Sequence, residues 1–351
     1  MKDLKYLTAY LVPIICFLGI YNAGVWLYLT PLVVFGLVPL LELWMPSLKT
    51  NLDEEQRESK LKNKFFDVLL WLNVPIVFGV LIYGFYTYTN SAFQTYEVIG
   101  LIFSLGIVAG SNGINVAHEL GHRQETWERF LGKLLLLPSL YMHFYIEHNY
   151  GHHLKAATPD DPASARYNEN LYAFWARSVS TQYTSAWSIQ QRLNKAAGRS
   201  WFAIKSDMFW YTVIQLSYIL AIGFYFSWAT AGLALAVAVV GFSLLEIINY
   251  LEHYGLRRQQ KKSGRYEVVR EVHSWNSNHA LGRILLYELT RHSDHHFRAS
   301  KKYQVLDYHD VSPQLPYGYP TMMVIATIPP LWFSIVNKHV PQEMVELQTA
   351  V

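Results

Sequence analysis

Six stretches of this 351-residue chain are apolar over nearly the length a bilayer requires, and that repetition restricts the fold more than any other feature. They run at roughly 6–23, 25–45, 65–88, 96–118, 209–227 and 230–252, each near the ~20 residues that carry a helix across a hydrocarbon core. Phe65 to Tyr88 contains no charge except Asp67, and Ala229 to Tyr250 none except Glu246. The first two runs are separated only by Tyr21-Asn22-Ala23-Gly24 and interrupted by Pro13, Pro31 and Pro39, which predicts a tight hairpin. Composition agrees: 52% of residues are hydrophobic and 16% charged, against about 25% charge in an ordinary soluble domain. A disordered chain, a collagen-like chain and an ordinary cytosolic enzyme are excluded. The lone Cys16 excludes a disulfide framework, a four-cysteine iron centre and a zinc ribbon. The expected fold is an all-α integral membrane protein with six transmembrane helices and a cytoplasmic helical cap.

The cap and its side of the membrane follow from the positive residues. All 29 Lys and Arg lie in the N-terminal residues, the 46–64 loop, the 119–208 stretch and the tail from Arg257 onward, and none in the turns at 21–25, 89–95 and 228–229. The excess of Lys and Arg on cytoplasmic loops puts both termini and those segments inside. Residues 1–351 therefore read as a single membrane domain whose cap comprises about 119–208 and 253–351. The apolar run after Met1-Lys2 continues straight into a second one, so no cleavable signal is expected. Two further apolar stretches, Leu131–Tyr145 and Tyr319–Val336, are short or broken by Pro329-Pro330 and read as interfacial or packed helices. The net charge of +3 is modest, and no nucleic-acid partner is expected.

Histidine carries the chemistry. Eight of the fourteen fall in three short windows: His118 and His122; His148, His152 and His153; His292, His295 and His296. A ninth, His253, closes the last span. His118 and His122 are four residues apart, as are His148 and His152, and His292 and His296, so on α-helices each pair projects from one face. On such a helix His153 is turned about 100° from His152. All nine sit on segments assigned to the cytoplasmic side and can meet at one membrane face. Nine nitrogens exceed the needs of one ion, so two metals with four or five imidazoles each are expected. Zinc prefers four ligands. Imidazole also suits iron and copper, and oxygen chemistry against a membrane favours iron, with copper as the alternative.

Carboxylates adjoin these histidines. Glu119, Glu147, Glu252 and Asp294 are candidates to accept the outward N–H of metal-bound imidazoles, with direct ligation as the alternative, and Asp160, Asp161 and Arg166 to brace the site. Plain structural turns and surface ion pairs are the competing reading for the last three. His118-Glu119-Leu120-Gly121-His122 also matches the HExxH pattern of zinc proteases, a reading that leaves seven clustered histidines unexplained. His143, His273, His279, His309 and His339 stand apart, with structural or surface roles expected.

HELGHR at 118–123, EHNYGHHLKAATPDDPASAR at 147–166, NYLEHYGL at 249–256 and LTRHSDHHFRASKKYQ at 289–304 closely resemble the membrane alkane 1-monooxygenases. These belong to a wider group of histidine-rich membrane di-iron oxygenases and desaturases. The resemblance runs from about the third span to Gln304. It implies six spans, a cytoplasmic nine-histidine di-iron centre, and O2-dependent terminal hydroxylation of medium- or long-chain n-alkanes to 1-alcohols. It also implies electrons from a rubredoxin reduced by a NADH-dependent reductase, and residence in a bacterial inner membrane. Carried across position by position, the ligands would be His118, His122, His148, His152, His153, His253, His292, His295 and His296. Arg123, Thr290 and Phe297 depart from the residues common in that group, and Phe297 beside His296 bears on substrate shape. Methyl-aromatic (xylene-type) side-chain monooxygenases and fatty-acyl desaturases share the scaffold and are the alternatives.

A C–H bond offers no hydrogen bond to grip, so selectivity is expected from the shape of an apolar tunnel. Walls for one exist in Trp26, Trp44, Trp71, Phe78, Phe85 and Phe103. One cysteine cannot hold a rubredoxin-type iron, so the electron donor is expected to be separate. Arg257, Arg258, Lys261, Lys262, Lys301 and Lys302 would serve to steer an acidic carrier or to meet membrane lipid headgroups.

Overall fold

The computed structural model describes residues 2–200 and 204–349; positions 201–203, within the 119–208 stretch, lie outside the described residues. Every expected span is a helix long and apolar enough to cross a membrane: α1 (Asp3–Asn22), α2 (Gly24–Glu42), α3 (Phe65–Asn90), α4 (Thr95–Gly121), α8 (Asp207–Tyr225) and α9 (Trp228–His253). Between them lie α5 (Thr126–Leu136), the helical segment α6 (144–155) and α7 (Leu171–Ala196). The short α10 (His292–Phe297) and α11 (Tyr319–Ala326) follow. No strand occurs among the described residues, only isolated bridges. Neither of the two further apolar stretches forms a single long helix. Leu131–Tyr145 is split among the end of α5, a 3-10 turn at Leu137–Ser139 and the start of α6; Tyr319–Val336 is split into α11 and a second short helix beginning at Pro329.

Contacts divide the chain into two compact units. One comprises the residues up to Leu37, Lys64–Tyr145 and Ala186–Leu245; the other comprises Val38–Asn63, Ile146–Ser185 and Glu246 onward.

The first unit holds most of the membrane-crossing helix. Gln94 and Glu97 start α4, the Glu97 carboxylate accepting the Gln94 N–H at 2.7 Å, which satisfies a donor the first turn would leave open. Near its end α4 widens into a π-helical turn at Ala109–Ile114, where Gly110 lies against the backbone of Gly241 on α9. Such wide turns re-aim the residues that follow them. Those residues include His118. Helix α5 then folds back along the end of α4, with Gly132 so near the Ala117 carbonyl that a Cβ there would approach it to 3.1 Å. Asp67 of α3, Arg123 and Glu119 form a buried ionic group, Arg123 Nη1 lying 3.2 Å from Asp67 and Nη2 3.0 Å from Glu119. The charge that interrupts the third span thus ties it to the turn carrying His118 and His122.

The second unit is built on the last two turns of α9. Tyr250, Tyr254 and Trp332 pack there in tilted and edge-to-face contacts with ring centroids 5.0–5.3 Å apart. Trp275 donates its backbone N–H to the Glu252 carbonyl at 2.9 Å and its indole N–H to the Tyr254 carbonyl at 2.8 Å. Gly255 ends the helix at φ +68°, a conformation that costs glycine little. These contacts occupy the Glu252 and Tyr254 carbonyls on either side of His253, at the end of α9 where the helix leaves its carbonyls open. Arg291 anchors the start of α10 by donating to the carbonyls of Leu306, Leu48 and Thr50 at 2.6–3.1 Å. Asn276 holds the next residue, accepting from Ser293 N at 2.8 Å and donating to its hydroxyl at 2.6 Å.

Candidate metal centre

Seven of the nine histidines lie in the second unit and sort into two groups. His152, His253, His292 and His296 are all buried, and each offers one ring nitrogen within 4.8 Å of the others. His152 Nε2 is 3.1 Å from His296 Nε2, and His253 Nε2 is 3.3 Å from His292 Nε2. His148, His153 and His295 satisfy the same mutual limit, with 3.0 Å between the Nε2 atoms of His148 and His153. The other two, His118 and His122, end α4 in the first unit with ring centroids 5.2 Å apart and planes nearly perpendicular.

The α-helical pairing expected at His148 and His152 gives way to a different one. Residues His148–His152 form a π-helical turn, whose wider winding brings positions five apart into line. His148 is therefore matched with His153, and His152 is released to the other group. In α10 the four-residue spacing holds: His292 and His296 share one group, while His295, off that face, joins His148 and His153.

The spacing of these nitrogens suits coordination. Metal–imidazole bonds of about 2.1 Å place neighbouring nitrogens about 3.0 Å apart at right angles and about 3.4 Å apart at the tetrahedral angle. The observed edges of 3.0, 3.1 and 3.3 Å fall between those limits. The protonation of the groups also fits. Burial, followed by the neighbouring His292, His153, His152 and His253, holds the His296 imidazole well below its ordinary pKa, so its lone pair is free for a cation.

His152 is oriented from behind. Its Nδ1 lies 2.9 Å from Asp161 Oδ2, which also accepts from the Ser164 hydroxyl at 2.5 Å, while Asp161 Oδ1 accepts from Ala163 N at 3.2 Å. Burial works against charge on both partners, but their attraction outweighs it: His152 is held above and Asp161 below its usual range. A proton on Nδ1 leaves the Nε2 lone pair facing the group, the arrangement metal-bound histidines use. Glu147 lies beside this pair and accepts from Ser185 Oγ at 3.3 Å. Burial and the Asp161 charge push its carboxyl up to about 8.

The remaining carboxylates differ in what they touch. Glu252 Oε2 lies 3.2 Å from His292 Nε2, the nitrogen that faces the group, and its other oxygen accepts from Tyr319 Oη at 3.0 Å. Glu252 thus lies beside one nitrogen of the group without belonging to the mutually close set. Asp294 turns outward instead, to His309 Nε2 at 2.9 Å, Lys301 Nζ at 2.6 Å and Asp307 N at 2.7 Å. Glu119 pairs with Arg123. Asp160 and Arg166 are exposed. Sequence reasoning passed over Ser164, Tyr319 and Asn276, which orient the ligands and carry no local signature.

Other expected surface features are also redistributed. Arg258 is buried and donates to the carbonyls of Leu154 and Ala156 at 2.9 and 3.2 Å, fastening the end of α6. Lys301 bridges Asp294 and Asp307. Both serve the interior, and Lys261 and Lys262 are exposed. His143 is buried against Tyr141, and burial lowers its pKa to about 3. His273 accepts the Arg270 N–H at 3.0 Å.

Comparison with known proteins gives this arrangement a context. Residues 94–326 match the fatty acid desaturase family. The chain is 37% identical over 321 residues to alkane 1-monooxygenase 2 of Pseudomonas aeruginosa, covering 91% of this chain and 85% of the relative. It is 35% identical over 348 residues to alkane 1-monooxygenase 2 of Alcanivorax borkumensis, covering 97% and 91%. The hydroxylase component of a xylene/toluene monooxygenase from Pseudomonas putida is 25% identical over 350 residues, covering 96% and 89%. Identity of this order, sustained over nine-tenths of the length, places the chain in the fatty acid desaturase family and, within it, among the alkane 1-monooxygenases, which makes it an enzyme.

Proposed function

We propose that the protein hydroxylates the terminal methyl group of medium- or long-chain n-alkanes, using O2, at a centre of two iron ions. The observation that supports this most directly is the buried four-imidazole group of His152, His253, His292 and His296. In this reading His118 and His122 join His148, His153 and His295 around the second ion, for nine imidazoles in all. Bound iron supplies the activation of dioxygen, which no side chain can provide.

The overall balance is RH + O2 + 2 e⁻ + 2 H⁺ → ROH + H2O. The electrons come from a separate protein, a rubredoxin recharged by a NADH-dependent reductase, because Cys16 alone cannot build a thiolate iron site. Both termini and the metal centre face the cytoplasm of a bacterial inner membrane, in keeping with the distribution of Lys and Arg. The chain's own residues have three tasks. Asp161 keeps the His152 proton on Nδ1 so that Nε2 stays available. Tyr319 holds Glu252 beside His292, where the carboxylate can balance the charge of a cation. The apolar spans admit a substrate that partitions into lipid and keep water from competing with it.

The test is product analysis by mass spectrometry in cells that express the protein with a rubredoxin system, offered octane, a xylene and a fatty-acyl substrate in turn. The 1-alcohol from octane is the expected product. Conversion of the xylene or the acyl chain alone would overturn the assignment in favour of a methyl-aromatic hydroxylase or a desaturase.

A further inference from the structure

Where α2 ends, the second unit contains a cavity of about 210 Å³ lined by Glu42, His279, Tyr317, Gly318 and Thr321 together with Leu43, Met45 and Pro316. A single water needs only about 10–15 Å³ by this measure, so the space suits a group of several heavy atoms. Glu42 is 3% exposed. Its Oε1 accepts the Gly282 N–H at 2.8 Å, while Oε2 has no hydrogen-bond partner. No Lys, Arg or His among the described residues pairs with it. The carboxylate is seated where two glycines leave room: a Cβ on Gly282 would stand 3.1 Å from Oε1, and one on Gly318 would overlap Oε2. Gly318 has an ordinary φ of −65°, so backbone freedom does not explain it; space for the carboxylate does.

We infer that this pocket binds a protonated primary amine, presented by the head group of an aminophospholipid or by a free alkylamine. A buried carboxylate with one open oxygen is costly unless a cation or donor completes it. The polar lining, comprising the Glu42 carboxylate, the Thr321 hydroxyl and His279, favours N–H donors. A quaternary ammonium prefers an aromatic cage, and Tyr317 is the one aromatic ring in the lining besides the imidazole. A divalent ion prefers several oxygens, and the pocket has one carboxylate. The lipid source fits the location: Leu41, Leu43 and Trp44 around Glu42 are exposed at the end of a membrane-crossing helix, the level at which Trp meets head groups.

The experiment is native mass spectrometry of the purified full chain released from bilayers of ethanolamine, choline and glycerol phospholipids with identical acyl chains. One ethanolamine lipid per chain should be retained at least ~tenfold over the choline lipid, a preference that Glu42→Gln removes while keeping the shape of the side chain. Ethanolamine hydrochloride added to the detergent-solubilised protein separates the sources. Thermal stabilisation by it, in wild type and not in E42Q, without lipid retention would assign the site to a free amine. Equal retention of ethanolamine and choline lipids with no effect of the free amine would overturn the proposal, as would an undiminished preference in E42Q. Glu42 is outside both histidine groups, so iron content in E42Q should match wild type, and failure here would leave the metal centre untouched.

Discussion

Asp161 is the carboxylate whose removal speaks most clearly about the metal centre. Its Oδ2 receives both His152 Nδ1 and Ser164 Oγ, and its Oδ1 receives Ala163 N, so three donors converge on one anion. Asp161→Asn keeps an oxygen for the His152 side but turns an NH2 group toward the Ala163 N–H, and it removes the charge. Asp161→Ala removes every acceptor. A hydrogen bond to a charged group is worth about 1.5–3 kcal/mol, and loss of the partner behind a metal-bound imidazole costs about 10–100-fold in affinity. D161N should therefore lose about tenfold in metal affinity, or about 1.4 kcal/mol, and D161A about 100-fold. The assay is competition with a calibrated chelator on purified protein, with the melting temperature of the metal-free chain measured alongside. Loss of stability without loss of affinity would make Asp161 a strut of the 157–164 turn. D161A within twofold of wild-type affinity would refute its role behind His152.

Three other outcomes follow from specific contacts. His253→Ala should release the ion of the four-imidazole group and abolish turnover while membrane insertion, read by fractionation, is unchanged; full activity would remove His253 from the ligand set. Glu169 is held below its ordinary pKa: burial opposes this, but two bonds from Arg177 at 2.7 and 2.8 Å and one from Arg166 N at 2.9 Å prevail. A depressed carboxylate stabilises the fold above its unfolded pKa of about 4.3 and loses that contribution as pH falls through the lower folded value. The melting-temperature advantage of wild type over Glu169→Gln should thus be constant above about pH 5 and shrink below about pH 4; a gap that widens in acid would reverse the sign. Asn115, one turn before His118, is buried with neither amide atom hydrogen-bonded. Asn115→Leu should raise the stability of the metal-free chain by about 1–3 kcal/mol and lower turnover, whereas a lower melting temperature would show the amide to be satisfied.

The spans were legible because lipid leaves a chain few choices: apolar runs with a single charge, such as Phe65–Tyr88, become helices whatever surrounds them. The histidine windows were equally visible, since no structural role clusters imidazoles at helical spacing. What periodicity could not supply was the departure from α-helical winding. A π turn at His148–His152 exchanges the partners of His148 and His152, and nothing in Glu147-His148-Asn149-Tyr150-Gly151-His152 announces it. Long-range polar pairs were equally hidden. Asp67 looked like an interruption of the third span until it met Arg123, and Arg258 looked like surface charge until it met the carbonyls of α6. Asp294 adjoins His295 in sequence yet serves Lys301 and His309, because neighbours on a helix face different ways. The Glu42 pocket depends on Gly282 and Gly318, more than two hundred residues away.

In the proposed centre, imidazoles from separate segments hold two redox-active ions. Iron and zinc measured per chain in the purified, active protein, with Mössbauer spectra of the 57Fe-enriched sample, test it directly. About two irons per chain in nitrogen-rich, non-haem environments, falling to about one in H253A, is the predicted result. A single iron, or zinc in its place, would contradict it.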